Sequence, residues 1–283
     1  MADKATLRIY RGDKDGGDFK DYDVELYPGM VVLDAIHDVQ ARHAPDLAVR
    51  WNCKAGRCGS CSAEINGKPR LLCMTRMSSF APGEPIVVTP MRAFPIKKDL
   101  VTDVGHNYKV AKKIPPFTPK PRDPDGYYRM QQMDIDRIQE FRKCIECFLC
   151  QNVCHVIRDH DKREEFAGPR FMIHLATLDM HPLDTLDRHA MIKEDFGVGY
   201  CNITKCCTEV CPEHITITDN GIIPLKERVA DDFYDPIRWL LRKVGSKEDR
   251  RKKAEAKDTG PEHVASQPKF EDTGALKARS KVE

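Results

Sequence analysis

Apolar and polar residues alternate with a period of two through "ATLRIY" (residues 5–10) and again through "YDVELY" (22–27). This pattern predicts two half-buried strands, and the intervening "DGGD" carries the residues of a turn, so the pair reads as a hairpin. Past Pro28-Gly29 the period lengthens: Val32, Ala35, Ile36, Val39 and His43 recur at helical spacing and predict one helix packed on a sheet. A second hairpin is expected in "CSAEINGKPRLLC" (61–73), where Asn66-Gly67 can supply the positive φ angles of a type I′ turn. "PIVVTP" gives a further strand. Residues 1–105 thus read as a small mixed sheet with one helix, and a cysteine-rich loop joins that helix to the Asn-Gly hairpin.

The pattern then changes. "AKKIPPFTPKPRDPDG" holds five prolines and little apolar material, so an extended connector is expected over 106–126. Beyond it "DIDRIQEFRKC", "GPRFMIHLATLDM", "LDTLDRHAMIKEDF" and "PLKERVADDF" all read as helices, with Pro169 and Pro224 where prolines begin helices. The expectation is an α+β chain whose second, helical domain covers 127–245. Near its end "DPIRWLLRKV" sets Ile237, Trp239, Leu240, Leu241 and Val244 among basic residues; the stripe fits a packed helix face or, alternatively, an interfacial helix at anionic headgroups. Residues 246–283 are charged and poor in large apolar groups, which predicts a disordered tail.

Composition narrows the function in one respect. The chain has 283 residues with a formal charge of +2, which gives no reason to expect nucleic acid as a partner. Twelve cysteines all fall between Cys53 and Cys211 in three tight groups, a pattern that suits ligation better than a disulfide framework. The N-terminal "MADKATLRIYRGDKDGGDF" has no apolar h-region and is rich in Asp, unlike a secretory signal or an Arg-rich transit peptide. No run reaches the roughly 18 apolar residues of a membrane span, so membrane contact is expected through a partner or a surface helix.

The first group is Cys53-x4-Cys58-x2-Cys61, completed by Cys73, the spacing of plant-type [2Fe-2S] ferredoxins. Three thiolates in one loop must converge on a compact cluster, so the loop has to curl and aim backbone amides at sulfur; Gly56 and Gly59 permit close approach. Those amides, with Lys54 and Arg57 nearby, favour the more negative reduced cluster. Four-cysteine zinc sites are the alternative, but they usually come as two close pairs.

The second group, Cys144-x2-Cys147-x2-Cys150-x3-Cys154, is the bacterial ferredoxin run with His155 in place of the usual proline. The third, "CNITKCCTEVCP", follows the same template through Cys201, Cys207 and Cys211, but its second ligand position holds Thr204. In two-cluster ferredoxins the last cysteine of each run serves the other cluster. Cys144, Cys147, Cys150 and Cys211 are therefore expected to hold a [4Fe-4S] cluster. Cys154, Cys201 and Cys207 are left with three thiolates, and the Thr204 hydroxyl is a poor replacement for the missing one, which favours [3Fe-4S]. Cys206 is the twelfth thiol; it could in principle ligate, but its side chain is expected to point away from that of Cys207 and to act as a small buried residue or spare thiol.

"CKAGRCGSC", "CIECFLCQNVC" and "CNITKCCTEVCP" in this order resemble the iron-sulfur subunit of succinate:quinone oxidoreductases and the related fumarate reductases, over about residues 5–244. The resemblance implies a β-grasp plant-type ferredoxin domain followed by a helical, bacterial-ferredoxin-type domain, with the same three ligand sets and the [3Fe-4S] cluster nearest a membrane anchor. It also implies a flavoprotein partner whose FAD oxidises succinate, and an anchor that carries the quinone site and often haem. The implied location is the cytoplasmic face of the bacterial cell membrane. Two positions depart from the best-known members: where those carry a tryptophan and a histidine that help form a quinone pocket, this chain has Asp159 and Asn202. The charged "CHVIRDHDKREEF" looks more like the dihaem-anchored fumarate reductases, and menaquinone or a differently placed site is expected.

No catalytic side chain is expected here, because the conversion of a two-electron flavin reaction into single-electron steps belongs to the cofactors. His174, in "FMIHLATL", reads as a hydrogen-bonded helix residue rather than a ligand. The alternatives are a relay subunit of fumarate reductase, of another flavin dehydrogenase or of a heterodisulfide reductase and, in a different class, a colourless zinc-bound assembly module.

Overall fold

The computed structural model describes residues 4–237. The chain divides after Phe233, and the unit up to that residue holds every cysteine. Trp239 with its stripe, and the tail expected over 246–283, lie outside the described residues.

Strands β1 (Lys4–Asp13) and β2 (Gly16–Glu25) pair antiparallel along their whole length. The turn falls at Lys14-Asp15 rather than at "DGGD": Asp13 faces Gly16, so the glycines belong to the strand. Helix α1 (Val32–Arg42) buries Val32, Leu33, Ala35, Ile36 and Val39. His43, expected on that stripe, is instead the exposed C-cap. β3 (Ser62–Ile65) and β4 (Lys68–Leu71) form the second hairpin, and Asn66 and Gly67 have φ of 48° and 73°, as a type I′ turn requires. β5 (Ile86–Thr89), β6 (Ile96–Lys98) and β7 (Val101–Thr102) complete one sheet in the order β4-β3-β5-β1-β6-β7, with β2 paired to β1. The β1–β5 pairing is parallel, so the sheet is mixed.

The segment read as a connector opens with a helix, α2 (Gly105–Lys113), and only then runs extended through its prolines. Proline amides cannot donate, and the segment finds its partners elsewhere: the Lys120 N–H donates to Leu183 O, Thr185 N–H donates to Thr118 O, and buried Arg188 donates to the carbonyls of Pro115 and Pro116 at 2.9 Å each. This lateral pairing keeps 183–188 out of a helix, so the helix expected there shrinks to α7 (His189–Glu194).

Helix α3 (Gln132–Gln139) tightens into a 3-10 turn before Cys144. Short helix α4 (Leu149–Asn152) lies within the second cysteine group, α5 (His155–Arg158) follows it, and α8 (Cys206–Glu209) lies within the third. α6 (Pro169–Asp179) begins at its proline, as expected. α9 (Ile223–Tyr234) does not: a π-helical turn over Ile217–Ile222 leads straight into it, so Pro224 sits inside a continuous helical run. The wider turn accommodates a residue that lacks an N–H. His174 also departs from expectation, because its Nδ1 is buried with no hydrogen-bond partner among the described residues, and burial lowers its pKa.

Candidate metal centres

The three cysteine groups lie on loops that curl by the same means. In the first, Lys54, Gly56 and Gly59 take left-handed φ of 55°, 67° and 67°. That curvature turns the amides of Ala55 and Arg57 onto Cys53 Sγ, at 3.4 and 3.2 Å. Cys61 and Cys73 are buried, and burial together with the neighbouring sulfurs pushes the Cys61 thiol up to about 12. Burial would also raise Cys58, but hydrogen bonding from Ser60 and from Cys53 outweighs it and brings the thiol down to about 6.

The second and third runs share a backbone. Glu146 and Phe148, with φ of 56° and 60°, flank Cys147; Ile203 and Lys205, with φ of 61° and 64°, flank Thr204. In each run the second left-handed residue caps a four-residue helix whose second residue is a cysteine, Cys150 in α4 and Cys207 in α8. Thr204 therefore occupies the place that Cys147 has in the other run. Four non-glycine residues held at positive φ represent local strain of about 1 kcal/mol or more each, of the kind that clusters at functional sites.

The second and third runs meet at one point. Cys144, Cys147, Cys150 and Cys211 line one small cavity, together with Ile145, Phe148, Ile173, Ile215 and Ile217. Burial, then repulsion from the Cys144 and Cys211 sulfurs, pushes the Cys147 thiol up to about 12. Cys150 shifts upward for the same reasons, and burial also raises Cys211 against the Ile215 amide that donates to its sulfur at 3.4 Å. Burial raises Cys154 to about 11, with Cys207 and Cys201 as the charges that act on it. Cys207 is raised likewise and turns its Sγ onto Thr218 Oγ1 at 3.4 Å.

All twelve cysteines are free of disulfide bonds. Burial and neighbouring sulfurs disfavour the thiolates of Cys61, Cys147, Cys150, Cys154, Cys207 and Cys211, and cations placed among them, as a cluster core provides, would reverse that. The donors are soft, convergent and furnished with amide donors, and they fit iron-sulfur clusters. Asp187, His189 and Asp232 also converge, but as ion pairs: His189 Nε2 lies 3.2 Å from Asp179 Oδ1, and its Nδ1 contacts Asp232.

Contacts between the first loop and the second run are direct and were not foreseen. A Cβ built on Gly59 would lie 2.6 Å from Cys147 Cα, so this glycine serves close approach of two cysteine loops as well as the curl of its own. The Ser62 hydroxyl bonds to Gly59 O and Cys147 O, both at 2.9 Å. Asn152 of α4, fully buried, donates to Glu64 Oε1 at 2.8 Å and accepts the Ala93 N–H at 2.9 Å, while Arg92 reaches Glu64 Oε2 at 2.7 Å. Glu64 sits in a strand buried on both faces, and only its polarity within "SAEI" marked it in the sequence.

Asp159 does not stand free: Arg158 donates to it at 2.8 and 3.2 Å and His155 Nδ1 lies 2.8 Å away, which holds its carboxyl well below the usual carboxylate range. Residues Asn202 to Lys205 are exposed, so the three-sulfur group lies close to the surface on that side.

Residues 6–109 match the family described as a 2Fe-2S iron-sulfur cluster binding domain, and residues 140–215 match a 4Fe-4S dicluster domain. The chain is 30% identical over 226 residues to the fumarate reductase iron-sulfur subunit of Mycobacterium tuberculosis, covering 76% of this chain and 89% of that protein. It is therefore an iron-sulfur subunit of the succinate dehydrogenase and fumarate reductase family. A solved chain of the Mycobacterium smegmatis Sdh1 complex in the apo form is 66% identical, with a TM-score of 0.81 over 84% of this chain and 100% of that one. Against an iron-sulfur protein of Methanococcus maripaludis, 30% identical over 225 residues and 77% of this chain, the chain spans 42% of that protein's length. Among the described residues no helix is long and apolar enough to cross a membrane.

Proposed function

We propose that this chain relays single electrons from the FAD of a succinate-oxidising flavoprotein to a quinone at a membrane anchor, on the cytoplasmic face of a bacterial membrane. Cys53, Cys58, Cys61 and Cys73 hold [2Fe-2S]; Cys144, Cys147, Cys150 and Cys211 hold [4Fe-4S]; Cys154, Cys201 and Cys207 hold [3Fe-4S]. The observation that carries the reading is the meeting of Cys211 with Cys144, Cys147 and Cys150 around one cavity, with the first loop packed against Cys147 through Gly59. Bound clusters supply one-electron redox states; the residues of this chain fix their spacing, exclude water and donate amides to sulfur. The mixed sheet with α1 across it supports a β-grasp ferredoxin domain over 1–105, and the paired runs support a helical ferredoxin-type domain from 127 onward.

High identity to the Sdh1 chain, against 30% to the fumarate reductase subunit, supports succinate as the electron source. Asp159 is occupied by Arg158 and His155, which supports a quinone site that Asp159 does not build; menaquinone is the quinone we propose. Low-temperature EPR of the purified complex tests the whole assignment: a trinuclear signal when oxidised, then two further centres on reduction. Near-zero inorganic sulfide would overturn it. Asn202→Ala should leave quinone reduction within about twofold of wild type; a large loss would restore a pocket at that position.

A further inference from the structure

The ligand sets use eleven of the twelve thiols. The twelfth, Cys206, lies beside the residue that stands where a ligand would: its Sγ is 3.5 Å from Thr204 Oγ1 and 3.8 Å from Thr204 O. A soft ligand next to a site short of one ligand should be captured by it unless something holds it off. Something does. Cys206 Sγ contacts His155 Nε2 at 3.4 Å, while Cys207 Sγ contacts Thr218 Oγ1. The ring of His155 is itself fixed, with Nδ1 at 2.8 Å from Asp159 Oδ2 and Asp159 gripped in turn by Arg158. One ring nitrogen thus faces the Asp159 carboxylate while the other is within hydrogen-bond reach of the Cys206 sulfur.

We infer that His155 is a positioning residue that latches Cys206 away from the Cys154, Cys201 and Cys207 group and so keeps that centre trinuclear; this rests on the ligand assignment proposed above. The latch bridges the two runs that build the site, because His155 follows Cys154 and Cys206 precedes Cys207. Asp159 acts through His155, holding the ring in the orientation that engages the thiol. Without the latch, Cys206 can turn toward the Thr204 corner and bring a fourth thiolate. The conversion balances: a neutral, one-electron-reduced [3Fe-4S] core takes up one ferrous ion to give a 2+ [4Fe-4S] core, the Cys206 S–H proton passes to water, a sulfur–iron bond forms, and no further electron is exchanged.

The test uses the complex as purified, reduced with dithionite in the presence of ferrous iron, desalted and reoxidised before EPR. Wild type should keep its oxidised trinuclear signal. In His155→Ala that signal should fall about tenfold or more, with one additional iron per chain and a new signal on reduction. His155→Gln, which can still engage the thiol, should keep the trinuclear signal, and so should the double variant His155→Ala/Cys206→Ser. A trinuclear signal undiminished in His155→Ala overturns the latch while leaving the ligand assignment intact. A tetranuclear centre already present in wild type and lost in Cys206→Ser overturns both. The other two centres report folding in the same sample; if His155→Ala lacks them, Asp159→Ala, which frees the ring without altering the neighbour of Cys154, is judged by the same criterion.

Discussion

Gly56 and Gly59 share one backbone conformation, with φ of 67° at each, yet they answer to different neighbours. A Cβ at Gly56 would meet the Met74 thioether at 2.9 Å, a flexible side chain that can move aside; at Gly59 it would meet the Cys147 backbone at 2.6 and 2.8 Å. Alanine at position 56 therefore costs about 1–2 kcal/mol, essentially the left-handed strain. Alanine at 59 adds a clash that only separation of the two loops relieves, and a total of about 3 kcal/mol or more is expected. Denaturant midpoints measure the difference. Power saturation of the [2Fe-2S] EPR signal gives the independent readout: Gly59→Ala should saturate more easily, because the neighbouring centre has moved off, and Gly56→Ala should not. Asn152 is a second residue of this kind. Asn152→Ala removes a donor to the buried Glu64 carboxylate and leaves the Ala93 amide without its acceptor, a loss of about 2–4 kcal/mol seen as a lower Tm with unchanged cluster content.

Elements here are held by side chains that local periodicity does not announce. Arg188 is fully buried, paired with Asp184 at 2.7 Å and donating to two proline carbonyls, and it pins the proline segment to the chain before α7. Arg188→Leu leaves the buried Asp184 without its cation and should cost about 3–5 kcal/mol, read by thermal unfolding. His189 joins α7 to α6 through Asp179 and to α9 through Asp232, and those hydrogen bonds, Asp179 first, raise its pKa to about 9. A raised histidine pKa means the stabilisation is complete below the unfolded value of roughly 6.5 and is lost as pH rises through about 9. The stability gap between wild type and His189→Gln should thus be about 2 kcal/mol near pH 6 and close to zero above pH 9.5. A gap that widened with pH would refute the pairing. β1, β4, β5, α1 and α6 were legible because each carries a periodic apolar face, whereas β6 and β7 are too short to show one and were not read. The 183–188 segment carries a helical pattern too, but its register is set by lateral bonds to prolines some 70 residues away, and no local window contains that information. The π-helical lead into α9 escaped for the same reason: Pro224 reads as a helix start unless the preceding turn is known to continue.

For the molecule as a whole, the cysteine spacings can be read locally because thiolate convergence is a local demand, and the crossover is an expectation drawn from the rule of the paired runs. How the first loop meets the second was not, since Gly59, Ser62, Glu64 and Asn152 are ordinary residues until the chain brings them together. The crossover makes the sharpest prediction at this scale. Cys211 lies 61 residues beyond Cys150 in sequence, yet lines the cavity of the second group, whereas the Cys154 thiol feels Cys207 and Cys201. Cys211→Ala should therefore abolish the centre built on Cys144, Cys147 and Cys150 and leave the trinuclear signal of its own run in place. On the proposed assignment that centre stands between the other two, so succinate should still reduce [2Fe-2S] while reduction of the trinuclear centre slows by orders of magnitude. Dithionite, which acts from solution, should reduce both. If Cys211→Ala instead removed the trinuclear signal and spared the tetranuclear one, each run would be serving its own cluster, and the order of the relay would have to be redrawn.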